Sequence, residues 1–209
     1  MKKTLLFLII LISQLIFSQK IALSDNQNLE IKKIRNIKSD SKKKTKVIII
    51  QCVITSLNNT PVDINAFSLL DTENKVRYRL LRYYSWKGKS SIGFGHSSVS
   101  YLKDEILDKK GKPFKLLPKY DPSIKDSFED YSFDGYKNCE IPLDFGSNKR
   151  HSVNELFSSK RRLVSVIYFP ESKWKKFFSS LQFPVVIKDK EPKLEFYYKK
   201  KMISKIKYK

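Results

Sequence analysis

The stretch Val47-Ile48-Ile49-Ile50-Gln51-Cys52-Val53-Ile54-Thr55, followed through SLNNTPVDINAFSLLDTENK to Val76-Arg77-Tyr78-Arg79-Leu80, decides the reading of this chain. The opening run is β-branched almost throughout, which predicts a central strand with both faces largely covered. Asn58-Asn59-Thr60-Pro61 ends it. From Val62 to Leu70 the chain alternates loosely, and Asp71 to Lys75 is a polar turn. Beyond it Val76, Tyr78 and Leu80 share one face while Arg77 and Arg79 share the other, because strand side chains alternate. That predicts a half-buried strand.

The same code returns toward the C-terminus in Leu163 to Phe169, Lys193 to Tyr198 and Met202 to Tyr208. Leu194, Phe196 and Tyr198 line one face. In the next strand Ser204, Ile206 and Tyr208 alternate with Lys205, Lys207 and Lys209, and Lys199-Lys200-Lys201 supplies the turn of a terminal hairpin. Trp174-Lys175-Lys176-Phe177-Phe178 reads as a short amphipathic helix or a loop plugging the fold. Upstream, Ile21 to Lys46 is polar and basic, with one short strand at Leu29-Glu30-Ile31 and an exposed loop from Lys38 to Thr45. Short strands, alternating apolar faces and few helical signals predict an all-β fold of two packed antiparallel sheets.

Between these β-rich ends, Trp86 to Arg150 is an irregular insertion of loops with a short helix expected over Val99 to Lys109. Acids gather in it: Asp121, Asp126, Glu129, Asp130, Asp134, Glu140 and Asp144, against Lys125 and Lys137. Such charge is suited to folding back on the basic flanks as an intramolecular cover.

The run from Val47 to Tyr78 resembles the first half of a telokin-like, immunoglobulin-like domain of exported bacterial proteins, a family of unknown function. Asn58, Pro61, Ile64, Phe67, Leu69, Asp71 and Tyr78 carry the likeness, with Leu70 inserted before Asp71. Val164 to Pro170 and Leu194 to Tyr198 match the later strands, so the likeness covers roughly 47–80 and 163–198. It implies an immunoglobulin-like antiparallel β-sandwich and brings no catalytic residues. The long 86–150 insertion departs from the family's shorter connection.

Lys2 and Lys3 precede an apolar run, Leu5 to Phe17, that breaks into Ser18-Gln19-Lys20, the pattern of an export signal. The run is shorter than the roughly 20 residues a membrane-spanning helix needs. The expected organisation is a signal peptide over 1–19 and a single β-sandwich domain over 20–209, periplasmic or secreted. No cysteine follows the apolar run to take a lipid. With 41% hydrophobic and 13% aromatic residues, the chain has the composition of a globular domain.

Cys52 and Cys139 are the two cysteines, and in an oxidising compartment they are candidates for a disulfide. Closing a loop of that size is worth on the order of 4 to 5 kcal/mol. A free buried thiol suits the apolar run around Cys52 equally well. His96 and His151 sit in no catalytic motif, and the acids at Asp126, Glu129, Asp130 and Asp134 lack the spacing of a calcium loop. No cofactor, metal or catalytic residue is expected.

The net charge of +21 attracts polyanions, although Lys-rich composition also follows from AT-rich coding and keeps a protein soluble. Lys199, Lys200, Lys201, Lys205 and Lys207, interleaved with Tyr197, Tyr198 and Tyr208, are the candidate anion-binding residues. Lysines on an edge strand also guard against edge-to-edge aggregation. The expected function is a non-enzymatic interaction or accessory module of the bacterial cell envelope, with an unknown envelope protein as partner and insertion loops as contact surface. The alternative is a binder of lipopolysaccharide or nucleic acid through the C-terminal hairpin, and an envelope hydrolase is the least supported class.

Overall fold

The computed structural model describes residues 20–38, 45–87, 121–123, 126–139, 165–169, 174–187 and 191–207, with short pieces at 94–95, 99–102, 105, 107, 110–113 and 171. The signal-peptide reading, both histidines and residues 39–44 of the expected loop from Lys38 to Thr45 lie outside them, and the two end residues of that loop belong to strands instead, with Thr45 buried.

The strands are β1 (Lys20–Ser24), β2 (Gln27–Lys38), β3 (Thr45–Ser56), β4 (Phe67–Asp71), β5 (Val76–Arg79), β6 (Arg82–Trp86), β7 (Phe94–Gly95), β8 (Val99–Leu102), β9 (Lys137–Asn138), β10 (Ser165–Tyr168), β11 (Lys176–Val186), β12 (Leu194–Tyr198) and β13 (Lys201–Ile206). One sheet runs β1-β2-β3-β11-β6-β7 and a second β13-β12-β4-β5-β9, while β10 and β8 form a separate pair. Pairing is antiparallel except between β5 and β9. The protein is an all-β sandwich.

The decisive run forms the long β3, hydrogen-bonded to β2 on one side and β11 on the other. Ile48, Ile50, Cys52 and Ile54 point into the core, whereas Val47, Ile49, Gln51 and Thr55 on the other face are only half-buried. The inter-sheet core closes where Phe183 of β11 meets Phe196 of β12 edge to face at 5.9 Å. Phe67 stacks on the same Phe196 at 5.4 Å. Of the family-like positions, Ile64, Phe67, Leu69, Asp71 and Tyr78 are fully buried, while Asn58 is exposed in a left-handed turn with φ 56°.

Several expectations are corrected. The polar stretch after Lys20 forms the β1–β2 hairpin rather than one short strand. A bulge between Ile31 and Lys33 shifts the inward positions from Leu29 and Ile31 to Ile34, which hides the period-two signal. Val99–Leu102 is a strand paired with β10, not the start of a helix. Phe177 and Phe178 lie in β11, where pairing with β3 and β6 overrides the helical pattern. In β13 a second bulge opposite Phe196 and Tyr197 adds Ile203 to the buried residues, while the predicted alternation holds beyond it, with Ile206 buried and Lys205 and Lys207 exposed. The expected hairpin turn at Lys199 and Lys200 is present, with Lys199 at φ 54°.

Asp71 fixes the β4–β5 turn from a buried position. Its Oδ1 accepts from the main-chain N–H groups of Glu73, Asn74 and Lys193, each within 3.2 Å. One carboxylate thereby ties the hairpin to the start of β12.

Candidate functional site

The outer face of β4, β5 and β12 is where residues 126–139 of the insertion meet the sandwich. Alternation along β5 turns Arg77 and Arg79 away from the core, as the sequence predicts, yet neither is solvated: Arg77 is 0% exposed and Arg79 8%. The half-buried strand is in fact buried on both faces, because residues 126–139 cross it as a strap.

The strap is fixed at both ends. At its start Asp126 takes the Arg79 guanidinium in a two-pronged ion pair, Nη1 to Oδ1 at 2.7 Å and Nη2 to Oδ2. The same Oδ1 accepts from the Phe128 N–H and caps the helical turn α1 (Ser127–Asp130). Glu129 lies 3.5 Å from Arg79 Nη2 and accepts from Asn138 Nδ2 at 2.9 Å. At its end the N–H groups of Lys137 and Cys139 donate to the carbonyls of Lys75 and Arg77 at 2.9 and 2.7 Å, adding β9 to the sheet.

Between these ends the strap lays aromatic rings on the sheet. Phe128, buried, covers both guanidiniums, with Arg77 Cζ 3.7 Å and Arg79 Cζ 4.3 Å from its centroid. Phe133 lies 5.3 Å from Arg77 Cζ and meets Tyr197 edge to face at 4.9 Å. Cation–ring attraction is stronger where water is excluded. Burial pulls the Arg77 guanidinium down to about 10, and the nearby Glu129 carboxylate opposes that pull. The acids of the insertion do fold back on a basic strand, through Asp126 and Glu129, while Asp130 and Asp134 remain exposed.

Lys199, Lys200, Lys201, Lys205 and Lys207 are all exposed on the terminal hairpin. Lys199 Nζ stands 5.7 Å from the ring centroid of Tyr131, so the strap reaches the hairpin turn. No disulfide joins Cys52 and Cys139. Cys52 is in the centre of β3, and Cys139 follows β9 and packs against the rim of the core. Among the described residues no group of His, Cys, Asp or Glu is arranged to hold a metal ion, and no helix is long and apolar enough to cross a membrane.

Sequence reasoning places the arginines on the outer face but does not find the partners that bury them. Phe128 and Phe133 carry no signal beyond lying among acids. Comparison with family models, with curated proteins and with solved structures finds no match to this chain.

Proposed function

We propose that the protein is an exported, non-enzymatic β-sandwich of immunoglobulin-like type that serves as an interaction or accessory module in the bacterial cell envelope, with the 86–150 insertion as its contact surface. The observation that supports this is the strap, which ties part of the insertion to the rigid sheet through the Arg79–Asp126 ion pair and the ring of Phe128 over Arg77. Segments displayed on a rigid scaffold are suited to recognition because little order is lost when they bind. The test is a pull-down of residues 20–209 from envelope extract at low and near-physiological salt. Retention of one protein partner at the higher salt supports the module; capture of none removes it.

The five exposed hairpin lysines favour a second reading, a polyanion binder. Changing Lys199, Lys200, Lys201, Lys205 and Lys207 to Gln then abolishes capture that is seen only at low salt, because displacing counterions from a polyanion is salt-dependent. Capture indifferent to the five changes excludes this reading.

A further inference from the structure

Arg77 is fully buried, and none of Nε, Nη1 and Nη2 has a hydrogen-bond partner. Buried guanidinium donors are ordinarily met, since leaving them unmet forfeits their hydration with no return. The strap meets Arg79 and stops short of Arg77. Its Asp126 and Glu129 both hydrogen-bond Arg79; among the described residues Arg77 has the rings of Phe128 and Phe133 against it and the Glu129 charge nearby, but no acceptor within hydrogen-bonding distance. Ring faces attract a cation but do not replace a carboxylate's paired acceptors.

We propose that this arginine face of β4, β5 and β12 is a docking site for an acidic, aromatic-bearing peptide segment of a partner protein, and that residues 126–136 occupy it as a built-in, incompletely matched stand-in. The strap shows which chemistry the face takes: a carboxylate on Arg79, a ring on Arg77 and a ring against Tyr197, in chain order from Asp126 to Phe133. A small anion alone leaves the Tyr197 contact and the ring site uncovered, so an extended peptide is the better fit. A segment with one more acid gives each guanidinium its own carboxylate. Tethering favours the strap by keeping it at high local concentration, so an external segment must outcompete it. The β9 end, held by main-chain hydrogen bonds, is the natural hinge for such an exchange. This docking face rests on the interaction-module reading, with the partner received by the sheet beneath the strap rather than by the strap itself; it depends neither on where the protein resides nor on the hairpin lysines.

The probe is a fluorescent peptide with the sequence of residues 126–136, titrated by anisotropy into residues 20–209 carrying the natural sequence, into D126N/F128A, and into D126N/F128A/R77M. Expected is binding to D126N/F128A at least about tenfold tighter than to the natural sequence, with that gain lost in the triple variant. Methionine keeps an unbranched apolar stem but removes the guanidinium that the peptide's Phe128 ring would cover, so a purely structural role for Arg77 leaves peptide affinity unchanged. If D126N/F128A loses its cooperative melting transition, F133A, which weakens the strap at Tyr197, takes its place. No gain in a folded strap variant, no effect of R77M, or equal binding of a scrambled peptide overturns the proposal. A concentration-dependent dimer of the natural sequence that the peptide cannot disperse makes the occupant a second copy of the chain and also overturns it.

Discussion

Arg79 and Asp126, 47 residues apart in sequence, form a two-pronged ion pair whose side chains are only 9% and 13% exposed. Removing one partner of such a pair leaves the other charge poorly hydrated. Asp126→Ala is expected to cost about 2 to 4 kcal/mol in urea unfolding, since it also removes the cap on α1. Glu129→Ala is expected to cost less than about 1 kcal/mol, because Glu129 is 40% exposed and its contact with Arg79 is long. Equal costs for the two substitutions show that the strap is not pinned through Asp126.

The sandwich is legible in the sequence because its core follows simple periods: Ile48 to Ile54 alternate into the core, and so do Leu194, Phe196 and Tyr198. Where a bulge inserts one residue the period breaks: near Lys32 it hides most of β2, and near Ile203 it hides one inward residue while the alternation from Ser204 to Lys207 stays legible. The candidate site is harder. An arginine alternating with apolar residues reads as a solvated face, and its burial depends on Asp126 and Phe128, which no local pattern links to β5. Opposite charge predicts that the insertion folds back; it does not predict which arginine is left without an acceptor.

Asn65 acts as a short piece of strand. Its carboxamide donates to the Phe169 carbonyl at 2.7 Å and accepts from the Phe169 N–H at 2.8 Å, both buried. Through it the segment after β10 is fixed to the turn before β4. Asn65→Ala leaves both main-chain groups of Phe169 unmet and is expected to cost about 2 to 4 kcal/mol. Asn65→Asp keeps the acceptor but sets a carboxylate oxygen against the Phe169 carbonyl, and it should be at least as damaging at neutral pH. Chemical denaturation of both variants checks this, and a loss below that of a surface substitution refutes it.

The two thiols should differ in reactivity. Cys52 is 1% exposed in β3, and burial pushes its thiol pKa up, so the nucleophilic thiolate is scarce. Cys139 lies half-buried at the rim of the core. A thiol-specific reagent at mildly alkaline pH is expected to modify Cys139 first and Cys52 only after denaturant is added. Two modified thiols in the unfolded protein also measure the pairing state directly: a chain that yields none even when unfolded has formed the disulfide.

The strap also sets a pH dependence. Tyr197 lies beneath Phe133 and donates to Glu195 Oε2 at 3.0 Å; burial first, then that carboxylate, pushes its phenol up to about 12. A folded-state value above the ordinary 10.0 means that the unfolded chain releases the proton first. Its contribution to stability is therefore complete below pH 10 and is lost as pH rises toward 12. Burial shifts Arg77 in the opposite sense, pulling its guanidinium below the ordinary 12.5, so whatever slope it contributes in this window opposes the fall. Measured in an Arg77→Met background, which removes that opposing slope, urea stability should fall between pH 10 and 12, and Tyr197→Phe should flatten the fall. A slope that Tyr197→Phe leaves unchanged means that Tyr197 ionises as freely in the fold as in the open chain, and that Phe133 does not seal it from water.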